Sequence, residues 1–209
     1  MIAALYVDPA GTYGELDGVD CWGDDRDARL YPGPHAVVAH PPCARWGRYW
    51  FGGPSVRVRR GLGDDDGCFA AAVAAVRRWG GVLEHPEATH AWSRHGISSP
   101  PRSGGWIRAS IDELGSWTCC VEQGHYGHRA RKATWLYAVG IVPPPLIWGP
   151  GPGERMAVGG AGYHSAEERA AARAAGTLRR GGRMGKKDRA ATPPAFRDAL
   201  IEMVRSVRR

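Results

Sequence analysis

Two stretches decide how this chain folds: Val37-Val38-Ala39-His40-Pro41-Pro42-Cys43 and Val82-Leu83-Glu84-His85-Pro86. Each is a short apolar run that ends abruptly in a polar cluster. Such runs read as buried strands rather than helices, because they are short, rich in Val, and closed by proline. A helical pattern lies between them. Phe69, Ala72, Val73 and Val76 recur at helical spacing, and Asp64, Asp65 and Asp66 stand ahead of them as an N-cap that favours the positive end of the helix dipole. Arg77 and Arg78 fall in the last turn, and Gly80-Gly81 stops the helix. Strand, loop, helix, strand is the crossover unit of a parallel α/β sheet.

Working outward, Ala3–Val7 before Asp8 is a third strand of the same kind, Ala36–Ala39 being the second and Gly81–Leu83 the next. In such sheets the functional loops gather beyond the carboxyl ends of the strands. His40–Cys43 and Glu84–Pro86 both fall there, with Trp46–Gly63 as a loop insertion. Trp92–Ser116 reads as loop, and Trp117–Gln123 and Lys132–Val139 read as further strands or short helices. Pro143–Pro145 and Gly149–Gly153 form a breaker-rich boundary. Beyond it Ser165–Ala175 is predicted helical and Arg179–Arg189 a basic loop. A last helix starts near Pro193-Pro194, with Phe196, Leu200 and Val204 on one face. The expected organisation is a catalytic α/β domain over 1–153, with a basic helical extension over 154–209 packed on it.

Composition narrows the function classes. At 209 residues, 43% hydrophobic and 23% charged, the chain has the make-up of one globular domain. No apolar run approaches the roughly 20 residues that span a bilayer, so no membrane partner is expected. Met1–Asp8 meets an acid too soon for a signal peptide, and a cytoplasmic location is expected. The net charge of +7 is uneven: residues 154–209 hold 13 Lys and Arg against 6 Asp and Glu, whereas 1–153 hold 15 of each. A polyanion partner accounts for such polarity, and a solvated tail is the bland alternative. Five cysteines, at 21, 43, 68, 119 and 120, form no disulfide framework and no paired CxxC knuckle, so no metal is expected and Cys119-Cys120 reads as core packing.

Three segments carry candidate chemistry. In the first, two prolines stiffen the loop that presents Cys43, since each fixes its own φ and restricts its predecessor. The bland reading is a strand end with a buried, inert thiol. In the second, Glu84 at the exit of an apolar strand is expected to be partly desolvated, with its pKa raised toward protonation. Such a carboxyl donates to a ring nitrogen and accepts from an exocyclic amine; an ion-paired or capping Glu is the alternative. The third, Glu122-Gln123-Gly124-His125-Tyr126-Gly127-His128-Arg129-Ala130-Arg131-Lys132, combines glycines, aromatics and cations as an anion-facing loop does.

Together and in this order, the three segments resemble phage and prophage proteins related to cytosine-5 DNA methyltransferases. Pro42-Cys43 matches the nucleophile loop of that family. Glu84-His85-Pro86 matches its Glu-Asn-Val strand end, with His in place of Asn. Tyr126-Gly127-His128 through Arg131-Lys132 is similar to its later active-site segment. Ala191-Thr192-Pro193-Pro194-Ala195-Phe196 is similar to the Thr-Pro stretch before the closing helix. The likeness covers about 36–145 and 186–205.

The resemblance implies a Rossmann-like, methyltransferase-type, mostly parallel sheet flanked by helices. It implies DNA as partner, in a bacterial host or phage-infected cell, and methyl transfer to cytosine carbon 5 through a covalent Cys43 adduct, with Glu84 holding the base. His40, Pro42, His85, Gln123, Tyr126, His128, Arg131 and Lys132 would then contact substrate, Arg131 and Lys132 by gripping phosphates. The cofactor would be S-adenosylmethionine, held by Asp8, Gly11 and Gly14. Only about 30 residues separate that turn from Cys43, too few for two full crossover units. The cofactor half is therefore truncated, with Asp20 or Asp27 standing in for the usual ribose-binding acid, or S-adenosylmethionine is not bound in the normal way. Rival readings are thiol-dependent pyrimidine modification with another one-carbon donor, and a non-catalytic nucleic-acid-binding protein that keeps the fold. Methylation of an exocyclic amine ranks lower, because His40 and Cys43 depart from its Asp/Asn/Ser-Pro-Pro-aromatic signature.

Overall fold

The computed structural model describes residues 1–47, 50–51, 60–110, 115–153, 170–171, 173–175, 188 and 190–208. Its centre is a seven-stranded sheet in the order β2-β1-β3-β4-β7-β6-β5. The strands are β1 (Ile2–Leu5), β2 (Val19–Trp22), β3 (Ala36–Ala39), β4 (Gly81–Pro86), β5 (Ile107–Arg108), β6 (Trp117–Glu122) and β7 (Ala133–Val139). The helices are α1 (Cys68–Trp79), α2 (His90–Arg94) and α3 (Pro194–Arg205).

The α/β class is as expected, but the sheet is mixed rather than mostly parallel. β1 pairs in parallel with β2 and β3, and β3 with β4. The β4–β7, β6–β7 and β5–β6 pairs are antiparallel. The reason is local: β6 and β7 are joined by the short 123–132 connection, which returns the chain on itself instead of crossing over the sheet. β2 was not expected as a strand. It is a half-exposed edge of four residues with Asp20 in its middle, so its sequence shows no apolar run.

Each face of the sheet buries its own core. α1 covers one face with Phe69, Ala72, Val73 and Val76, the residues its periodicity selected. They pack with Leu5, Val37, Ala39, Leu83, Trp92 and Tyr137. The N-cap position is Gly67 and carries no side-chain cap. Asp65 does that work one turn out, accepting Phe69 N at 2.9 Å, Gly67 N at 3.1 Å and Trp46 Nε1 at 2.7 Å. α3 covers the other face, with Phe196, Leu200 and Val204 packed among Ala4, Val38, Val82 and Leu136. Cys119 and Cys120, adjacent in β6, point to opposite faces and each fills one core.

α2 and β5 interrupt a stretch expected to be loop. The helix expected over Ser165–Ala175 lies largely outside the described residues, although Ala170, Ala171, Arg173 and Ala174 are helical. Of the Arg179–Arg189 loop only Asp188 is described. Among the described residues no helix is long and apolar enough to cross a membrane.

Candidate functional site

The register of the parallel strands builds the site. Leu5 of β1 pairs with Ala39 of β3, and Ala39 with Leu83 of β4. His40 and Glu84 are the next residues on their strands. Alternation turns both side chains to the α3 face, at the carboxyl end of the sheet. His40 Nδ1 lies 3.0 Å from Glu84 Oε2, and His40 Nε2 lies 2.8 Å from the Tyr13 hydroxyl. On the far side Gln123 Nε2 donates to Glu84 Oε1 at 3.2 Å and to Thr134 Oγ1 at 2.9 Å. A continuous polar row, Tyr13–His40–Glu84–Gln123–Thr134, thus crosses five segments of the fold.

Glu84 behaves opposite to expectation. Burial does push its pKa up, but the hydrogen bond and charge of His40, then Lys132 and His85, outweigh it and bring the carboxyl down to about 2. Glu84 is therefore an ionised acceptor rather than a ready acid. Desolvation alone, which sequence suggests, misses these partners.

Cys43 follows the stiff Pro41-Pro42 step and opens to solvent. Protein crowds it on its other sides. Burial raises its thiol pKa, the Glu84 charge raises it further, and Lys132 partly offsets both. Thiol and carboxylate therefore sense each other across the loop, with one ammonium beside them. Lys132 is not free to grip a phosphate, because its Nζ donates to the carbonyls of Ala190 and Ala191, at 3.2 and 2.7 Å. Its backbone takes φ 43°, a left-handed conformation that non-glycine residues rarely adopt. Burial lowers its pKa, while Glu84 and Cys43 raise it.

Other expected substrate contacts fall elsewhere. His85 alternates to the opposite face from Glu84, where it packs edge-on to Phe69 and stacks near Trp92. It is 1% exposed, neither ring nitrogen makes a hydrogen bond of good geometry, and burial lowers its pKa to about 4, the Glu84 charge and the nearby Pro42 backbone offsetting part of that. Tyr126 packs on Phe196, its hydroxyl accepting Ile147 N at 3.4 Å. His128 is buried, with Nδ1 bonded within its own turn to Ala130 and Nε2 3.2 Å from the Asp188 carbonyl. Arg131 donates to the Gly153 carbonyl. The 123–132 connection thus spends most of its polar side chains on holding itself together with residues 149–153, Asp188, Ala190 and Ala191; of its three cations Arg129 is exposed. Gln123 is the member of that segment that reaches Glu84.

Beside this row lies a cleft of about 990 Å³. It sits where the chain goes from β1 out to β2 and returns to β3 on the other side of β1, a topological switch point at which α/β folds bind ligands. Tyr6, Asp8, Pro9, Asp24, Asp25, Asp27, Arg29, His40, Pro42 and Asp66 are among its lining residues. Tyr6 turns the chain there at φ 61° and anchors by its hydroxyl to the Cys68 carbonyl at 2.9 Å. Asp8 is in the lining, whereas Gly11 and Gly14 shape the turn behind it. A Cβ on Gly14 would fall 1.8 Å from the Pro9 oxygen, and one on Gly11 3.0 Å from the Asp8 oxygen. Of the two stand-in acids, Asp27 lines the cleft but is held by Arg29, whose Nε and Nη2 donate to its two oxygens at 2.8 and 2.7 Å; Asp20 is taken up by Arg26 and by Trp22 Nε1 at 2.8 Å. Cys43 and Glu84 flank the cleft through Pro42 and His40 but do not line it.

Sequence reasoning missed Tyr13, Thr134, Asp24, Asp25 and Arg197. The last donates from Nη1 to the Thr12 carbonyl at 2.6 Å and ties α3 to the Tyr13 turn. An aromatic inside a Gly-rich turn was a signal for Tyr13; nothing local marked the others. Among the described residues no group of three or more His, Cys, Asp or Glu is placed to hold a metal ion. No protein-family model, curated protein or solved structure matches the chain.

Proposed function

We propose that this protein modifies cytosine in DNA, most directly by methyl transfer to carbon 5 through a covalent Cys43 adduct, on a reduced Rossmann-like, methyltransferase-type fold. The observation that carries this reading is that Cys43, in the loop after β3, and Glu84, on the neighbouring parallel strand β4, lie within electrostatic reach beside a switch-point cleft. A thiol and a carboxylate within electrostatic reach are what addition to a pyrimidine ring needs. Cys43, as thiolate, adds to ring carbon 6, and the ring nitrogen takes up a proton, leaving carbon 5 electron-rich. After carbon 5 is substituted, loss of its proton and expulsion of the thiolate restore the ring and the enzyme. Ionised Glu84 accepts from the exocyclic amine, since a carboxylate keeps further lone pairs beyond the two that His40 and Gln123 occupy. The base leaves the duplex to reach these groups, at a cost of a few kcal/mol.

S-adenosylmethionine would supply an electrophilic methyl group from the cleft. The lining fits it in charge: Asp8, Asp24, Asp25 and Asp66, beyond the paired Asp27 and Arg29, suit a sulfonium, an ammonium and ribose hydroxyls, and repel DNA phosphates. The DNA backbone is then met by basic residues of the C-terminal region, whose excess of Lys and Arg suits a polyanion.

The test is mass spectrometry of nucleosides from DNA of cells expressing the wild type or Cys43→Ala. A modified cytosine present only with wild type is expected. Equal nucleoside profiles in both would refute base modification and favour a non-catalytic binder. Thermal stabilisation of the purified protein by S-adenosylmethionine separates methyl transfer from a different one-carbon donor.

A further inference from the structure

We propose that Tyr13 and His40 form a positioning relay: the Tyr13 hydroxyl fixes His40 in its Nδ1–H tautomer, and that hydrogen holds Glu84 as an oriented, ionised acceptor while Cys43 adds to the base. The catalytic use of the relay rests on the base-modification reading; its hydrogen-bond geometry does not.

The logic starts from Glu84. An ionised carboxylate only accepts hydrogen bonds, so at 3.0 Å the His40 Nδ1 must carry a hydrogen. Neutral His40 then presents a bare Nε2, 2.8 Å from the Tyr13 oxygen. The Tyr13 side chain is 4% exposed, and burial followed by the Glu84 charge pushes its pKa far up, so it stays a phenol and donates to that nitrogen. Both ring nitrogens are thereby spent on one directed row from Tyr13 through His40 to Glu84. A histidine held only for packing needs neither bond.

The groups around it are Glu84 from β4, Lys132 just before β7, Cys21 from β2, Cys43 beyond β3, and Arg197 and Asp198 from α3. While Cys43 adds to the base, the Nδ1–H of His40 holds Glu84 as an oriented carboxylate that accepts from the base. Tyr13 keeps its own proton throughout and acts by fixing which nitrogen of His40 carries the hydrogen that faces Glu84.

Nitrogen-15 NMR of histidine-labelled protein without substrate reads the tautomer of neutral His40. We expect hydrogen on Nδ1 in the wild type. In Tyr13→Phe we expect a mixture with the Nε2–H form. A wild-type His40 with hydrogen on Nε2, or a Tyr13→Phe spectrum unchanged at His40, overturns the relay. If Tyr13→Phe does not fold, the wild-type tautomer alone decides. In an active preparation Tyr13→Phe is expected to lower kcat about tenfold with KM unchanged. Wild-type kcat in that variant would overturn the positioning role. A wild type that modifies no base refutes the function proposed above, while the tautomer result still stands or falls by itself.

Discussion

His40 Nδ1 and Glu84 Oε2 meet at 3.0 Å because each residue follows a pair, Ala39 and Leu83, aligned across the parallel β3–β4 ladder. The contact draws the carboxyl below the ordinary range and leaves a negative charge facing the Cys43 loop. Alkylation of Cys43 should report that charge directly. Its rate against pH, followed peptide by peptide with iodoacetamide and mass spectrometry, should have a midpoint above that of an ordinary thiol, because burial and then Glu84 raise it. Glu84→Gln should move the midpoint down, and Lys132→Met should move it up. A midpoint unmoved in both variants would mean that the thiol does not sense the site.

The contact also shows what the sequence could and could not carry. β1, β3, β4, α1 and α3 announce themselves, because a buried strand is a short Val-rich run and a two-sided helix repeats its apolar residues every three to four positions. β2 does not, since a half-exposed edge strand needs little apolar sequence. The strand direction after β4 is invisible for another reason: hairpin return and crossover differ in the connection, not in the strand residues. At the site, Cys43 and Glu84 were legible from the strand ends that present them. Tyr13 was marked only as an aromatic in a Gly-rich turn, and Thr134 and Arg197 not at all, because their roles come from segments brought together only by the fold. His85 misled for a simple reason. It follows Glu84, and in a strand the next residue faces the other way.

His85 makes acid stability a second test. Its folded pKa, about 4, lies below the ordinary histidine value of 6.5, so the unfolded chain binds the proton first. The stability this neutral ring contributes is complete above pH 6.5 and is lost as pH falls toward 4, up to roughly 3 kcal/mol for a shift of this size. Glu84 acts lower: its depressed pKa contributes stability above about 4.5 that is lost as pH falls through about 2. Denaturant melts from pH 7.5 to 4 should therefore decline in the wild type. His85→Phe replaces a poorly bonded buried ring by an apolar one and should flatten the curve between 6.5 and 4. An equally steep decline in that variant would place the acid sensitivity elsewhere.

Gly81 opens β4 at φ 131°, and a Cβ there would fall 1.9 Å from the Val37 oxygen of β3. Neither atom can move without parting the β3–β4 ladder that sets His40 beside Glu84. Gly81→Ala should cost more than 2 kcal/mol and disturb the site together with the fold. Gly18→Ala is the control, since it too has positive φ, 76°, but nothing within 4 Å. It should cost only about 1 kcal/mol. Equal losses by chemical denaturation would show that backbone conformation, not the close approach to β3, dominates at Gly81.

Asp65 joins the α1 core to the loop that follows Cys43. Its Oδ2 accepts both Phe69 N, at 2.9 Å, and Trp46 Nε1, at 2.7 Å, while Oδ1 accepts Gly67 N at 3.1 Å. An exposed N-cap is worth about 1 kcal/mol, but here removal also strands the buried indole N–H, and a donor left unsatisfied costs a further 1–3 kcal/mol. Asp65→Ala should therefore lose roughly 2–4 kcal/mol. Trp46→Phe in the Asp65→Ala background removes the stranded donor as well, so the two substitutions should cost less together than the sum of each alone. Strict additivity in that double-mutant cycle would show that the Trp46–Asp65 bond contributes nothing, and that Asp65 serves α1 only as a cap.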